Sequence, residues 1–593
     1  MKKFFLFPAI FAALLLSLSG CRENRTGVFA LLDARKTGGA ADEVDLLDYF
    51  RSRDMSSLPC DRKDFTPTEK DRKIADEALV HRFYVHDAYQ PSFFYGEDID
   101  WTYWPVKDNE LRWQLHRQKW FTPMGVMYQA TGDEKYAREY VYEFRDWIRK
   151  NPNGGPAWQQ PGGVVSAGEI AQDAPNWEFA WRPLEVGIRL MAHMDHFRLF
   201  LNAPEFTPEF LSEFLVNYHE HLSFLSKNIA PRGNHRLFEA QAILFGSLFF
   251  PEFKESRKWQ KEALKILREE IELQILPDGV QEELDQSYHN AMIDVYASVL
   301  QYVQDERIRE RVGEMIAFTL GMTYPDYTFP CFGDCRLHGK DHYLSFLQDW
   351  LKVFPENEHL RWFATEGREG SPYTWKSRAW HDAGFYVYRT GWGPDDTVLI
   401  IKAGKAGAWH AQPDYGTFEI WSAGRNISPD SGCYIYGGDE EVTRMRDWFR
   451  QTRVHNTLTL DGENVERTDC RELAFSDSTL VYEHDSYKGL THKRTYSWRG
   501  TSLELLDEAY GPAEGTVEVH FFFAPGLLTL SGPVVEGPGM KVSCTSSVPG
   551  AFREEDGWYS QVYRQRARRQ GAVYEIRKSA SDTLRIRSVI NIL

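Results

Sequence analysis

The spacing of the apolar residues changes once along this chain, near residue 380, and that change limits the folds open to it. From about residue 66 to 365 apolar side chains recur at three- and four-residue steps, the repeat of a helix with one buried face. The spans 140–150, 208–228, 255–276, 306–323 and 342–353 show it best. Asn151-Pro152-Asn153-Gly154-Gly155-Pro156, Pro231-Arg232-Gly233 and Pro277-Asp278-Gly279 break the chain between helical stretches. Amphipathic helices with short joints and no strict repeat predict an α-solenoid or a closed ring of helix pairs. Beyond 380 the runs 384–388, 397–402, 418–421, 457–460, 480–482, 517–523 and 583–587 are β-branched and aromatic, with Gly, Asp and Pro turns between them. Strand follows strand without an intervening helix, which predicts antiparallel sheets in a two-sheet sandwich. The polar stretch 366–380 is the expected linker.

The first 20 residues stand apart. Lys2-Lys3, the apolar run 4–16 and Leu18-Ser19-Gly20-Cys21 resemble a bacterial lipoprotein signal, with an ordinary secretory signal as the alternative. The apolar run is too short to span a bilayer. Cleavage before Cys21 would leave a lipid anchor on that residue, so membrane contact is expected through lipid, at the periplasmic or outer face of the bacterial cell envelope. The domain plan is then a signal at 1–20, a tether and N-terminal extension at 21–65, a helical domain at 66–375 and a β-domain at 376–593. A length of 593 residues leaves ample material for two large cores.

A net charge of −17 argues against nucleic acid as a partner, while still allowing a local basic cleft for an acidic polymer. Of seven cysteines, six remain once Cys21 is given to lipid. Cys331 and Cys335 are close enough to suggest a disulfide, and free buried thiols fit equally; with no Cys-x-x-Cys partner, a zinc ribbon is unlikely. The basic run 564–569 reads as a solvated strand edge.

Several polar clusters sit where folding alone does not ask for them. Arg232-Gly233-Asn234-His235-Arg236 opens an apolar helix, where Asn234 could serve as the N-cap or, with its neighbours, hold a carboxylate at the positive helix end. The segment 278–290 is dense in polar groups and contains Tyr288, either a core tyrosine with its hydroxyl outward or a proton donor and acceptor. Trp409-His410-Ala411-Gln412-Pro413-Asp414-Tyr415-Gly416 follows a strand and the small residues Gly404, Gly407 and Ala408, which permit close backbone approach. His410 is there a loop histidine or a proton carrier. Gln412, Asp430 and His455 offer an amide oxygen, a carboxylate and an imidazole on what read as neighbouring strands, a ligand set for one divalent ion, although spacing so wide is a weak metal signal.

Taken together, Gly233-Asn234-His235, Ser287-Tyr288-His289, the run 409–421, Pro429-Asp430-Ser431-Gly432 and Val454-His455-Asn456-Thr457 resemble the heparinase II/III family of polysaccharide lyases over nearly the whole mature chain. The resemblance implies an α+β multidomain architecture, an N-terminal incomplete α/α toroid followed by a C-terminal antiparallel β-sandwich. It implies β-elimination at a uronic acid of an acidic glycosaminoglycan, heparan sulfate first, with Asn234, Tyr288 and His410 as catalytic residues. His235, Arg236 and Glu239 are the expected substrate contacts. Gln412, Asp430 and His455 match the family's metal ligands, for one structural divalent ion. Some relatives have histidine where this chain has Gln412, and an oxygen ligand there leaves zinc, calcium or manganese open. Two other readings stay in play: a glycoside hydrolase using Glu282 and Asp285 as paired carboxylates, and a non-catalytic glycan-binding lipoprotein.

Overall fold

The computed structural model describes residues 27–60, 62, 64–89, 91–153, 175–436 and 440–593. The expected signal and Cys21 lie outside these residues. From residue 27 the chain is already part of the helical domain. Helix Glu43–Ser52 buries Leu46, Leu47 and Phe50, and Phe50 packs edge-on against Phe197 and Phe250. The extension expected at 21–65 is therefore docked where it is described.

Helices run from there to Ala364 and follow the periodicity closely: Glu134–Lys150, Pro208–Asn228, Ser256–Gln274, Glu306–Met322 and Lys340–Val353. Their starts have local causes. Asp133, Thr207, Asp285 and Asp305 each accept a hydrogen bond from a first-turn N–H, and Pro208 sits in the first turn of its helix. The core between the helices is largely aromatic, with Tyr140 stacked on Phe200 at 4.1 Å and Phe83 on Trp120 at 4.2 Å.

Apart from a short pair at Arg82–Phe83 and Phe93–Phe94 in the helical domain, the described strands begin at Ser377, inside the stretch read as linker. The β-domain holds an eight-stranded, a four-stranded and a five-stranded sheet, rather than two, and every pair of neighbouring strands in them is antiparallel. All three contribute to one core, which includes Tyr386, Ile401, Leu458, Leu505, Phe521 and Ile586. The expectation of strands without helices also fails at one place, because helix Glu440–Phe449 is inserted between strands Arg425–Asn426 and Leu458–Leu460.

The five-stranded sheet joins the domains. Its strands Phe385–Arg389, Val398–Lys402 and Thr417–Ser422 are buried at every position, as expected for a sheet covered on both faces. Tyr386, Leu399, Ile401 and Phe418 face the sandwich. Phe385, Val387, Val398 and Ile400 face Val280, Leu284, Phe318 and Phe332 of the helical domain. Close docking depends on Gly321, where an added Cβ would lie 2.4 Å from the Trp380 ring.

Candidate active site

Asn234 does not cap its helix. Arg232 holds the N-cap position of Gly233–Phe249, and the Asn234 side chain lies one residue inside, with Nδ2 donating to Oε2 of Glu283 at 3.4 Å. That removes the N-cap reading of this asparagine and leaves its amide facing the Glu283 carboxyl across the cleft. His235 is kept neutral by burial, with the charges of Arg182, His410 and Arg117 acting in the same direction.

The other two expected substrate contacts are turned elsewhere. The guanidinium of Arg236 pairs with Glu270 at 2.9 Å and donates to the carbonyl of Ala230 at 3.0 Å. Glu239 accepts from the Ala230 N–H at 2.6 Å, and burial pushes its carboxyl up to about 8. Both hold the turn before the helix, and this structure does not place them as substrate contacts.

Tyr288 lies in the first turn of helix Gln286–Leu300, which Asp285 caps by accepting from the N–H groups of Ser287 and Tyr288. Asp285 is thus spent on fixing the Tyr288 backbone, and burial raises its carboxyl to about 7. The Tyr288 hydroxyl meets that of Tyr436 at 2.8 Å, and Tyr436 in turn accepts from the guanidinium of Arg336. Burial raises the Tyr288 phenol above its ordinary value even though Arg336 and Tyr436 act to lower it.

The Tyr288 ring stacks on His410 from the β-domain, centroids 3.6 Å apart and planes 17° from parallel. The loop bearing His410 leaves strand Val398–Lys402 and returns at Thr417. It is fastened to the helical domain by Ala408 N–H donating to the Glu282 carbonyl at 3.1 Å and by Asp334 N–H donating to the His410 carbonyl at 3.1 Å. Gly404 approaches Gly384 so closely that a Cβ on it would lie 2.4 Å from the Gly384 Cα. This contact accounts for Gly404, while Gly407, at φ 68°, is held where a Cβ would lie 2.5 Å from that of Ala411.

His410 Nδ1 lies 2.9 Å from Oδ2 of Asp334. Arg446 grips the same carboxylate with two bonds, 2.6 Å to Oδ1 and 2.5 Å to Oδ2. Burial alone would raise the Asp334 carboxyl, but Arg446 and His410 hold it far below the usual range. Burial pushes the His410 imidazole down to about 4, outweighing the pull of Asp334. A neutral ring facing an anion through Nδ1 carries its proton there, leaving the Nε2 lone pair for the cleft. Nε2 is 3.9 Å from Oε2 of Glu283.

Asp334, Glu283, Arg336, Tyr436 and Arg446 were not singled out from the sequence. Asp334 stands inside the Cys331–Cys335 segment, which drew notice only for its cysteines. The six described cysteines are free, with Cys331 and Cys335 buried, so that pair is not a disulfide. Nor is the basic run a solvated edge: Arg569 is buried and donates to Ser431, and Arg564 bonds Asp108 of the helical domain at 3.1 Å.

The expected metal ligands lie behind His410. Gln412 donates from Nε2 to Asp334 Oδ1 at 3.2 Å and to the Gly333 carbonyl, while its buried Oε1 has no hydrogen-bond partner. His455 Nδ1 contacts Asp430 Oδ2 at 2.8 Å, and its buried Nε2 is also unpartnered. Both are buried ligand atoms left unsatisfied, and a divalent ion reaching them would supply the missing partner. Among the described residues His81, Glu139 and Glu143 bring three ligand atoms within 4.8 Å of one another.

Residues 10–362 match the family model for the heparinase II/III N-terminus, and residues 373–587 match the one for the heparinase II/III-like C-terminal region. The chain belongs to the heparinase II/III family. A heparin-sulfate lyase of Bacteroides stercoris is 40% identical, in an alignment covering 100% of this chain and 94% of that protein. The crystal structure of heparan sulfate lyase HepC from Pedobacter heparinus is 38% identical with a TM-score of 0.70, covering 94% of this chain and 89% of that one. A heparinase III crystal structure, 26% identical, superposes with a TM-score of 0.86 over 95% of this chain and 93% of that one. The toroid-plus-sandwich architecture is therefore that of the family.

Proposed function

We propose that this protein is a polysaccharide lyase that cleaves heparan sulfate by β-elimination at a 4-linked uronic acid. The observation that carries this reading is the stack of Tyr288 on His410 across the domain junction, with Asn234 on the same cleft. The C5 proton of a uronate is weakly acidic because its neighbouring carboxylate is already anionic. The transition state adds about one more charge, so a fixed donor at that carboxylate is needed, and each such donor contributes about 3–4 kcal/mol. Asn234 Nδ2 is placed for it.

Tyr288 enters as a neutral phenol and donates its proton to the C4 oxygen as that bond breaks. The base depends on the face of the sugar. His410, neutral and held through Nδ1, takes the C5 proton when it lies opposite the leaving oxygen. Where both lie on one face Tyr288 enters instead as the phenolate, stabilised by Arg336 reaching it through Tyr436, takes the C5 proton and passes that same proton to the C4 oxygen as the bond breaks. Trp409, 37% exposed beside His410, offers a flat surface for a sugar ring.

A divalent ion held by Gln412, Asp430 and His455 belongs to the same proposal. When bound it would fix the strands that carry His410 and supply rigidity rather than reacting groups. Attachment to the cell envelope through lipid on Cys21, after removal of residues 1–20, is proposed from the Leu18-Ser19-Gly20-Cys21 motif. Incubation with heparan sulfate tests the activity: a lyase gives ultraviolet-absorbing unsaturated uronate ends. New reducing ends without that absorbance would mean hydrolysis, and binding without either product would mean a lectin-like role.

A further inference from the structure

Glu283 has no place in the chemistry described above, yet it stands at its centre. It lies on the segment between helices Ser256–Gln274 and Gln286–Leu300, which is firmly held. Glu282 N–H donates to the Gln274 carbonyl at 2.8 Å, Glu283 N–H donates to Gln281 Oε1 at 3.1 Å, and the Glu282 carbonyl takes the Ala408 N–H. The next residue, Leu284, adopts φ 55°, a left-handed conformation uncommon for leucine. Leu284 joins the apolar junction between the domains while Glu283 faces the cleft.

Glu283 is 7% exposed, and among the described residues its carboxyl pairs with no lysine or arginine. Oε2 has Asn234 Nδ2 at 3.4 Å and His410 Nε2 at 3.9 Å. Among the described residues no lysine or arginine offsets a charge there, so an ionised carboxylate would meet a second carboxylate on substrate binding. The acid form meets it with its one O–H.

We propose that Glu283 touches the substrate, its carboxyl donating a hydrogen bond to the uronate carboxylate beside Asn234. The charge that accumulates on that carboxylate as C5 loses its proton then meets two donors, one an amide and one an acid. The inference rests on the lyase reading for its choice of ligand.

The test compares wild type, Glu283→Gln and Glu283→Ala in turnover. It also compares Glu283→Gln and Glu283→Ala, each combined with Tyr288→Phe to prevent cleavage, in calorimetric binding of a heparan-sulfate tetrasaccharide and of its carboxyl-reduced form. Glu283→Ala is expected to weaken the native ligand about 10- to 100-fold, the worth of one hydrogen bond to a charged group, and to change the carboxyl-reduced ligand less than about twofold. Glu283→Gln, which keeps a donor, loses less than about tenfold in kcat/KM, whereas Glu283→Ala loses about 100-fold or more. Equal losses on both ligands would overturn the contact, as would a glutamine variant as damaged as the alanine one. If wild type yields no absorbing product while the difference between the two ligands persists, the lyase reading fails and the contact stands.

Discussion

His410, carried by the β-domain, is oriented by Asp334 of the helical domain, Nδ1 to Oδ2 at 2.9 Å, so the imidazole and the group that sets its tautomer come from opposite sides of the cleft. Arg446 locks the aspartate from behind. Asp334→Asn keeps the shape but presents the imidazole with a donor, which favours the wrong tautomer. We expect a fall in kcat of about 10²- to 10⁴-fold on substrates that use His410 as base. Steady-state kinetics beside a thermal melt check this, since uncovering Arg446 also costs stability, by about 3–5 kcal/mol.

Tyr288→Phe removes the hydroxyl proposed to protonate the leaving oxygen. A loss of about 10²- to 10⁴-fold in kcat with an unchanged circular dichroism spectrum is the expected result. Tyr436→Phe leaves that hydroxyl in place and severs only its link to Arg336, so its effect is smaller, about tenfold. Near-normal activity of Tyr288→Phe in a folded protein would remove tyrosine from the chemistry.

Burial, followed by the charges of Asp285 and Glu282, raises the Glu283 carboxyl from 4.5 to about 8. Between those two values the folded state binds more protons than the unfolded one, so this group's contribution to stability falls as pH rises. Glu283→Gln does not titrate. Its melting temperature relative to wild type should therefore climb from about pH 4.5 to about pH 8 and level off above. The groups facing Glu283 are Glu282, Asp285, Asp334, Asn234 and His410. Asp285, at about 7, titrates in the same window but is present in both proteins. A pH-independent difference in melting temperature would show that the carboxyl has an ordinary affinity for protons.

Much of this site was legible in the sequence because its parts interrupt local patterns. Asn234 and His410 follow Gly-containing loops, and Tyr288 follows a polar segment that an apolar helix does not need. Asp334 and Arg446 were not legible, since each finds its partner more than 75 residues away and looks ordinary among its neighbours. Arg236 and Glu239 failed for the opposite reason. Adjacency to Asn234 suggested the cleft, but successive positions on a helix point in different directions, and theirs leads to Glu270 and Ala230. Two-sided burial of the five-stranded sheet likewise hid the third sheet, because its strands lack the alternation that marks a sandwich face.

About one equivalent of divalent metal per chain is expected in protein purified without chelator. His455→Ala should lose it, and a chelator should lower the melting temperature of wild type but not of that variant. His81→Ala should retain the metal. Elemental analysis decides, and loss with His81→Ala alone would move the ion to the other cluster.

Gly321→Ala places a methyl against the Trp380 ring. The clash is at the domain junction, far in sequence from the reacting groups. Overpacking of this kind costs about 1–3 kcal/mol, and we expect a lower melting temperature together with reduced activity. Unaltered turnover would mean that the junction tolerates movement.

The fastening of the His410 loop by Ala408 to Glu282, and by the His410 carbonyl to Asp334, makes turnover a sensor of the junction itself. A chain severed between Ala364 and Ser377 would divide Tyr288 from His410. Neither fragment alone should carry out elimination that draws on both side chains, and activity regained on mixing them would measure how tightly the two halves recognise each other.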